Sequence, residues 1–247
     1  MSNSPLISYT KLSPNKTSPR NHRIDTISIH CMAGDLSVES CGAMFAKPSR
    51  KASSNYGIGS DGRIALYVDE SDRSWCTSSK SNDNRAITIE VANNGGAPDW
   101  PVSDAAYNSL IALLVDICQR NGIRKLLWKG DKSLIGQVDK QNMTVHRWFA
   151  AKACPGDYLY NRHGAIAEAV NKRLEDDNMT QEQFNTMMEA YLWERGSLPP
   201  SDWSRDAREW AEAEGLIHGD ENGDKQYQNF VTREQMCTFL KRLTERM

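Results

Sequence analysis

The sequence predicts a mixed central β-sheet flanked by helices over residues 1–175, followed by a small all-helical segment over 176–247. Three observations carry this expectation. Strand and helix patterns alternate through the first 175 residues, the arrangement expected of an α/β sheet covered by helices. Composition shifts at "EDDNMTQEQ" (Glu175 to Gln183), and beyond it only helical spacing recurs. The 247 residues suffice for one large domain and a small one.

The elements follow in order. The first twenty residues, rich in Ser, Pro, Asn and Lys, read as an extended arm. "IDTISIHCM" (Ile24 to Met32) alternates apolar and polar residues with β-branched enrichment, a strand signal. "LSVESCGAMFA" reads as a helix. Asp61-Gly62 between two apolar segments of "SSNYGIGSDGRIALYVDE" is a hairpin cue. "AITIEVAN" (Ala86 to Asn93) is a strand stopped by Asn-Asn-Gly-Gly. From Asp104 to Asn121, Tyr107, Leu110, Leu114 and Ile117 share one helical face, and Gly122 is a natural helix stop. "IRKLLW" (Ile123 to Trp128) is a short strand candidate, and Gly156 to Leu174 a long helix. Three helices fill the remainder. Thr180 with Gln183 predicts a capping box, ahead of Phe184, Met187, Met188, Tyr191 and Leu192 on one face. The second helix stops at Gly215, and Thr232 with Gln235 caps the third.

Composition narrows the function classes. A hydrophobic content of 39% and a charged content of 25% describe an ordinary globular chain. A formal net charge of -2 offers no footprint for nucleic acid or an anionic membrane. The longest apolar run, Ser109 to Cys118, is too short to span a bilayer. The N-terminus lacks the pattern of a signal peptide, so the chain is expected to be made in the cytoplasm and to stay there until something releases it. Six cysteines without a CxxC pair read by default as reduced, buried thiols; a Cys31–Cys41 bridge is an open alternative outside the cell.

The informative stretch is "TVHRWFAAKACPGDYL" (Thr144 to Leu159), which sets His146 and Cys154 eight residues apart with Lys152 between them. Such a gap is wrong for one helix, so a loop must bring the two side chains together. His30, at the C-terminal end of a strand, stands where α/β sheets tend to place their ligands. Catalytic zinc takes three nitrogen or sulfur ligands and keeps one position open for water. Yet strand-end histidines are ordinarily structural, and this spacing alone is weak. The residues alone therefore leave open a zinc site, a packed thiol, and a metal-free hydrolase with Cys154 as nucleophile and His146 as base. The last leaves His30 idle.

The same stretch resembles the closing motif of the zinc-dependent N-acetylmuramoyl-L-alanine amidases, the amidase-2 family, which includes phage endolysins and peptidoglycan recognition proteins. "ISIH" is similar to the family's first-strand histidine at His30, and "H…KACPG" to its later motif at His146, Lys152, Cys154, Pro155 and Gly156. "SSNYGIGSDGRI" resembles its tyrosine hairpin, and "NRAITIEV" its glutamate strand, with Ala86 and Thr88 as departures. The likeness covers roughly residues 20–175 in the family's order.

The resemblance implies hydrolysis of the amide joining N-acetylmuramic acid to L-alanine in peptidoglycan, with one Zn²⁺ held by His30, His146 and Cys154. It also implies that Lys152 stabilises the oxyanion and that Tyr56 or Glu90 transfers the proton. Glu90 is independently conspicuous, because a carboxylate on an apolar strand is costly unless paired or at work. Trp75 in "DRSWCTSS" falls where relatives carry an aromatic near the substrate groove. His22, His163 and His218 match no motif position and read as surface or structural residues. A non-catalytic peptidoglycan-binding module is the alternative class, though such modules generally lack the cysteine ligand. The absence of a signal peptide suits an endolysin awaiting release and, almost equally, a cytoplasmic muropeptide-recycling amidase.

"WSRDAREWAEAEGLIHGDENGDKQYQNFVTREQMCTFLKRL" resembles a single S-layer-homology-like repeat, through Trp210 to Gly219 and Thr232 to Met236. Full modules usually carry three, so this segment is expected to bind wall polymer, to form homo-oligomers that supply the missing repeats, or only to pack on the catalytic domain. "DENGDK" (Asp220 to Lys225) lacks the glycine and glutamate of a calcium loop and reads as a polar turn.

Overall fold

The computed structural model describes residues 2–176, 181–220 and 222–245. Two compact units emerge, residues 1–178 and 179–247.

The first unit runs β1 (Tyr9–Thr10), β2 (Lys16–Thr17), β3 (Thr26–Cys31), α1 (Val38–Phe45), β4 (Tyr56–Ile58) and β5 (Ile64–Leu66). It continues with β6 (Arg73–Ser74), α2 (Lys80–Arg85), β7 (Ala86–Val91), α3 (Asp104–Asn121), β8 (Met143–Thr144) and α4 (Gly156–Asp176). A six-stranded sheet has the order β1-β5-β4-β7-β3-β8, and β2 pairs with β6 separately. Only the β4–β5 hairpin of the large sheet is antiparallel; the other pairs are parallel, so the sheet is mixed, as the sequence predicts.

Strand alternation sorts the central pair into two faces. Ile27 and Ile29 of β3, with Ile87 and Ile89 of β7, are fully buried in a core shared with Leu110, Leu114 and Ile117 of α3 and Ile166 and Val170 of α4. Full burial of each isoleucine is worth about 1.5–3 kcal/mol. The intervening Ser28, His30, Thr88 and Glu90 therefore turn to the opposite face, on the side where α1 contributes Val38, Cys41 and Phe45 to a second, smaller core. A one-residue slip in either strand would put the polar set into the main core.

The helices stop where their termini are satisfied. Ser103 accepts from the Ala106 amide at the start of α3, and Gly122 closes it at φ 68°. Ser37 accepts from the Ser40 amide at the start of α1. The N-terminal arm is pinned, because β1 joins the sheet beside β5 and β2 pairs with β6.

Two expectations require correction here. Residues Ile123 to Trp128 form no strand. Side-chain amides satisfy this segment instead: Asn171 bonds both the N–H and C=O of Leu126, while Asn142 accepts from Leu127 N and donates to Lys125 O. An extended backbone clamped by asparagines needs no ladder, and hydropathy cannot register the difference. Cys31 and Cys41 are free thiols, as are the other four cysteines, and Cys237 is exposed rather than buried.

In the second unit, α5 (Gln181–Gly196), α6 (Arg205–Ala213) and α7 (Arg233–Thr244) are the α-helices among the described residues. Thr232 and Gln235 form the reciprocal capping box of α7. The Thr180–Gln183 box lies outside the described residues, since Thr180 is not among them. Ala211 and Leu216 are buried, while Phe184, Met187, Met188 and Tyr191 on α5 and Met236, Leu240 and Leu243 on α7 are exposed. The apolar stripes that sequence periodicity assigns to a core thus remain uncovered.

Candidate metal centre

His30 is the last-but-one residue of β3 and is fully buried. His146 opens a 3-10 turn, His146–Trp148, directly after β8. Cys154 reaches the same point because the intervening loop closes on itself. The Phe149 and Ala150 amides donate to His146 O, and the Arg147 amide donates to Cys154 O at 3.2 Å. The Arg147 guanidinium adds bonds to Ala153 O and Asp157. Trp148 anchors the turn by stacking on Trp128, with ring centroids 5.1 Å apart. Gly156 ends the loop at φ 81°, where a Cβ would stand 2.7 Å from Asp99 O, so only glycine fits.

The result is a convergent set of donors. Those of His30, His146 and Cys154 all lie within 4.8 Å of one another, and Cys154 Sγ is 3.3 Å from His30 Nδ1. Ser28 Oγ sits 3.1 Å from His30 Nε2, and Ser78 Oγ 3.2 Å from His146 Nε2. Such outer partners fix ring orientation. Ser78 holds a left-handed φ of 64°, the kind of conformation that surrounding structure must enforce.

Glu90 is the register partner of His30 on β7 and lines the same chamber, about 250 Å³, with Cys31, Cys76, His146, Lys152 and Cys154. His30, Cys76 and Glu90 also bring donor atoms within 4.8 Å of one another. Cys76 donates to Glu90 Oε1 across 3.9 Å, whereas Oε2 is buried without a partner among the described residues. Burial pushes the Glu90 carboxyl up to about 8, opposed by the Arg50 guanidinium and the Cys76 thiol. Burial, reinforced by His146 and His163, pulls His30 down to about 3, which keeps its imidazole neutral. Burial and then Lys152 lower His146 as well. The Cys154 thiol is raised by its hydrogen bond with Cys31, by burial and by the Glu90 carboxylate.

This donor set fits a divalent ion of zinc's character. Two neutral imidazoles and a thiol converge beside a carboxylate with an orphaned oxygen, and a cation is the missing charge that would favour the thiolate.

Of the remaining sequence candidates, Lys152 is exposed at the mouth of the chamber, and Trp75 is half-buried beside it with its indole donating to Thr17 Oγ1. Tyr56 is not at the site. It registers with Ile89, one position from Glu90, and so lies on the opposite face of the sheet. There it is fully buried, donates to Glu70 at 2.6 Å and accepts from the Ser4 amide. Burial and Glu70 raise its pKa, so Tyr56 holds the arm and the Glu70–Arg120 ion pair together. The motif match located the right strand and the wrong face. Thr88, a departure from the motif, has a local explanation: it exchanges bonds with Asn55 and Ser74 and completes the β4–β7 junction.

Sequence reading missed Ser28 and Ser78 and gave Cys76 no role. Strand alternation alone places Ser28 on the face of His30, two residues away. Cys76 and Ser78 lie on an irregular loop whose approach no periodicity announces. His163, read as surface or structural, is fully buried against Trp128.

The six-stranded sheet thus carries, beside the end of β3, a His/His/Cys cluster whose donor atoms could hold a metal ion. The family model described as N-acetylmuramoyl-L-alanine amidase matches residues 20–157, and the chain belongs to that family. Among solved structures, the Staphylococcus aureus hydrolase AmiA in complex with its ligand aligns at a TM-score of 0.50 and 16% identity, covering 70% of this chain and 85% of that one. A selenomethionine AmpD derivative aligns at 0.49 and 20% identity, covering 66% and 96%. The endolysin amidase LysCS from Clostridium intestinale aligns at 0.45 and 14%, covering 64% and 95%. No curated protein sequence matches the chain significantly.

Proposed function

We propose that this chain is a zinc-dependent N-acetylmuramoyl-L-alanine amidase that cleaves the bond between N-acetylmuramic acid and L-alanine in bacterial wall peptidoglycan. The observation that carries the reading is the convergence of His30, His146 and Cys154 beside the unpartnered carboxylate oxygen of Glu90. His30, His146 and Cys154 would hold the zinc, which when bound supplies Lewis acidity toward the scissile carbonyl and a water acidified toward about pH 7.

The protein's own groups supply the rest. Glu90 Oε2 accepts a proton from the attacking water and returns it to the leaving amine, a role open to a buried carboxylate oxygen that has no partner of its own among the described residues. Lys152 Nζ, exposed at the chamber mouth, places positive charge where the amide oxygen gains negative charge. Ser28 and Ser78 hold the two imidazoles in orientation. Trp75 offers an apolar wall to the substrate.

The wall-directed, endolysin-like role is favoured over recycling by the second unit, whose exposed aromatic and apolar residues, including Trp203, Trp210 and Phe230, suit polymer binding or self-association in the manner of an S-layer-homology repeat. The chain would then be made in the cytoplasm and act on the wall after release.

The test measures zinc content and cleavage of purified Gram-positive walls for wild type and Cys154→Ser in parallel. One zinc per chain, with new N-terminal L-alanine that disappears in the variant, supports the amidase. Cleavage by metal-free protein would overturn the zinc assignment and make Cys154 a nucleophile. Zinc without cleavage would leave a recognition module.

A further inference from the structure

A groove of about 800 Å³ runs outward from the metal centre, with which it shares Trp75, Cys76, His146 and Lys152. Its charge is one-sided: Arg50, Lys51, Arg73, Lys80 and Lys152 line it against a single carboxylate, Asp83. That carboxylate is engaged, accepting from the Cys76 and Thr77 amides and from Thr77 Oγ1 at 2.6 Å. None of the five cations forms an ion pair among the described residues. Arg73 is only 8% exposed, and its guanidinium donates to the neutral Thr17 hydroxyl. Its charge is felt by Asp83, which it helps keep ionised, but the two form no ion pair, and with five cations against one carboxylate the groove keeps an excess of positive charge that a ligand's negative charge would offset.

The chemistry of a muramoyl-peptide sorts its two arms. On one side of the scissile amide stands a neutral N-acetylated sugar. On the other, the peptide carries a carboxylate on the glutamyl residue that follows L-alanine, unless it is amidated, and another at its C-terminus. A cationic groove joined to the metal centre is complementary to the peptide arm alone. Resting on the amidase reading, we infer that this groove receives the stem peptide and selects peptides with free carboxylates over amidated ones, through Arg50, Arg73 and Lys80. Arg73 provides a buried charge, while Arg50 and Lys80 are exposed.

The experiment uses the zinc-loaded full chain and two soluble muramoyl-pentapeptides that differ only in a free or amidated glutamyl α-carboxyl. Wild type should show about tenfold higher kcat/KM for the acid, a preference that shrinks as salt rises. In Arg50→Gln/Lys80→Gln the ratio should fall toward one, and Arg50→Lys should keep it. In calorimetry with the metal-free protein, the liberated acidic pentapeptide should bind more tightly than its amide. Equal kcat/KM for both forms, or an undiminished preference in the double variant, overturns the groove assignment while leaving the amidase standing. Cleavage of neither form by protein carrying one zinc, when the acidic pentapeptide still binds preferentially, overturns the amidase reading and keeps the acidic-peptide groove.

Discussion

At Glu90 and Lys152 a side chain can be altered without disturbing the three donors, and this separates chemistry from metal binding. Glu90→Gln keeps the shape but abolishes proton transfer at Oε2. Zinc content should stay at one per chain while kcat falls by about 10²- to 10⁴-fold, and retention of full activity would exclude Glu90 as the base. Lys152→Ala should also keep the metal and lower kcat about 100-fold or more, with KM less affected. Ser28→Ala removes the outer partner of His30, so its expected signature is weaker zinc affinity, by about 10- to 100-fold in a chelator competition. Tyr56→Phe belongs to a different class: it loses the bond to Glu70, and urea denaturation should report lower stability with activity per folded molecule preserved.

At the scale of elements, the His146 loop and α4 are the parts on which the site depends. Gly156→Ala places a Cβ against Asp99 O in a left-handed conformation, and denaturation should show a loss of about 1–3 kcal/mol. Within α4, His163 is fully buried; its Nδ1–H donates to Leu159 O, while Nε2 has no partner among the described residues. Burial depresses it from 6.5 to about 4. The folded state thus holds the neutral ring, and its contribution is complete above pH 6.5 and lost as pH falls from about 6.5 to about 4, by about 3 kcal/mol in full. His163→Phe should flatten the dependence of Tm on pH across that window, and an unchanged slope would refute the assignment. Trp128 stacks on Trp148 and lies tilted against His163 at 4.5 Å between centroids, so it links α4 to the turn that carries His146.

For the molecule as a whole, the consequential fact is that residues 1–178 contain both hydrophobic cores and every residue of the candidate site. A fragment ending at Asn178 should fold, bind one zinc and cleave soluble muramoyl-peptides at close to the full-length rate. If the second unit binds wall polymer, the same fragment should lose activity on intact walls selectively, read as turbidity loss. Equal activity on both substrates would leave the second unit without that role. No described helix is long and apolar enough to cross a membrane.

Much of this was legible from the chain because it rests on local rules. Alternation in "TISIHC" and "AITIEV" separates the apolar residues that face the core from His30 and Glu90, and Gly122 ends α3 as its place in the sequence predicts. His146 and Cys154 were recognisable by motif. What only the tertiary structure decided is the face of Tyr56, which hangs on a one-residue register between strands distant in sequence. It also decided the asparagine clamps that replace a strand at Ile123 to Trp128, and the approach to the centre of Cys76 and Ser78 from an irregular loop and of Arg50 from a 3-10 turn. Local sequence encodes periodicity and capping because neighbours along the chain create them. It does not encode which distant segments meet, since that is settled by packing the whole core at once.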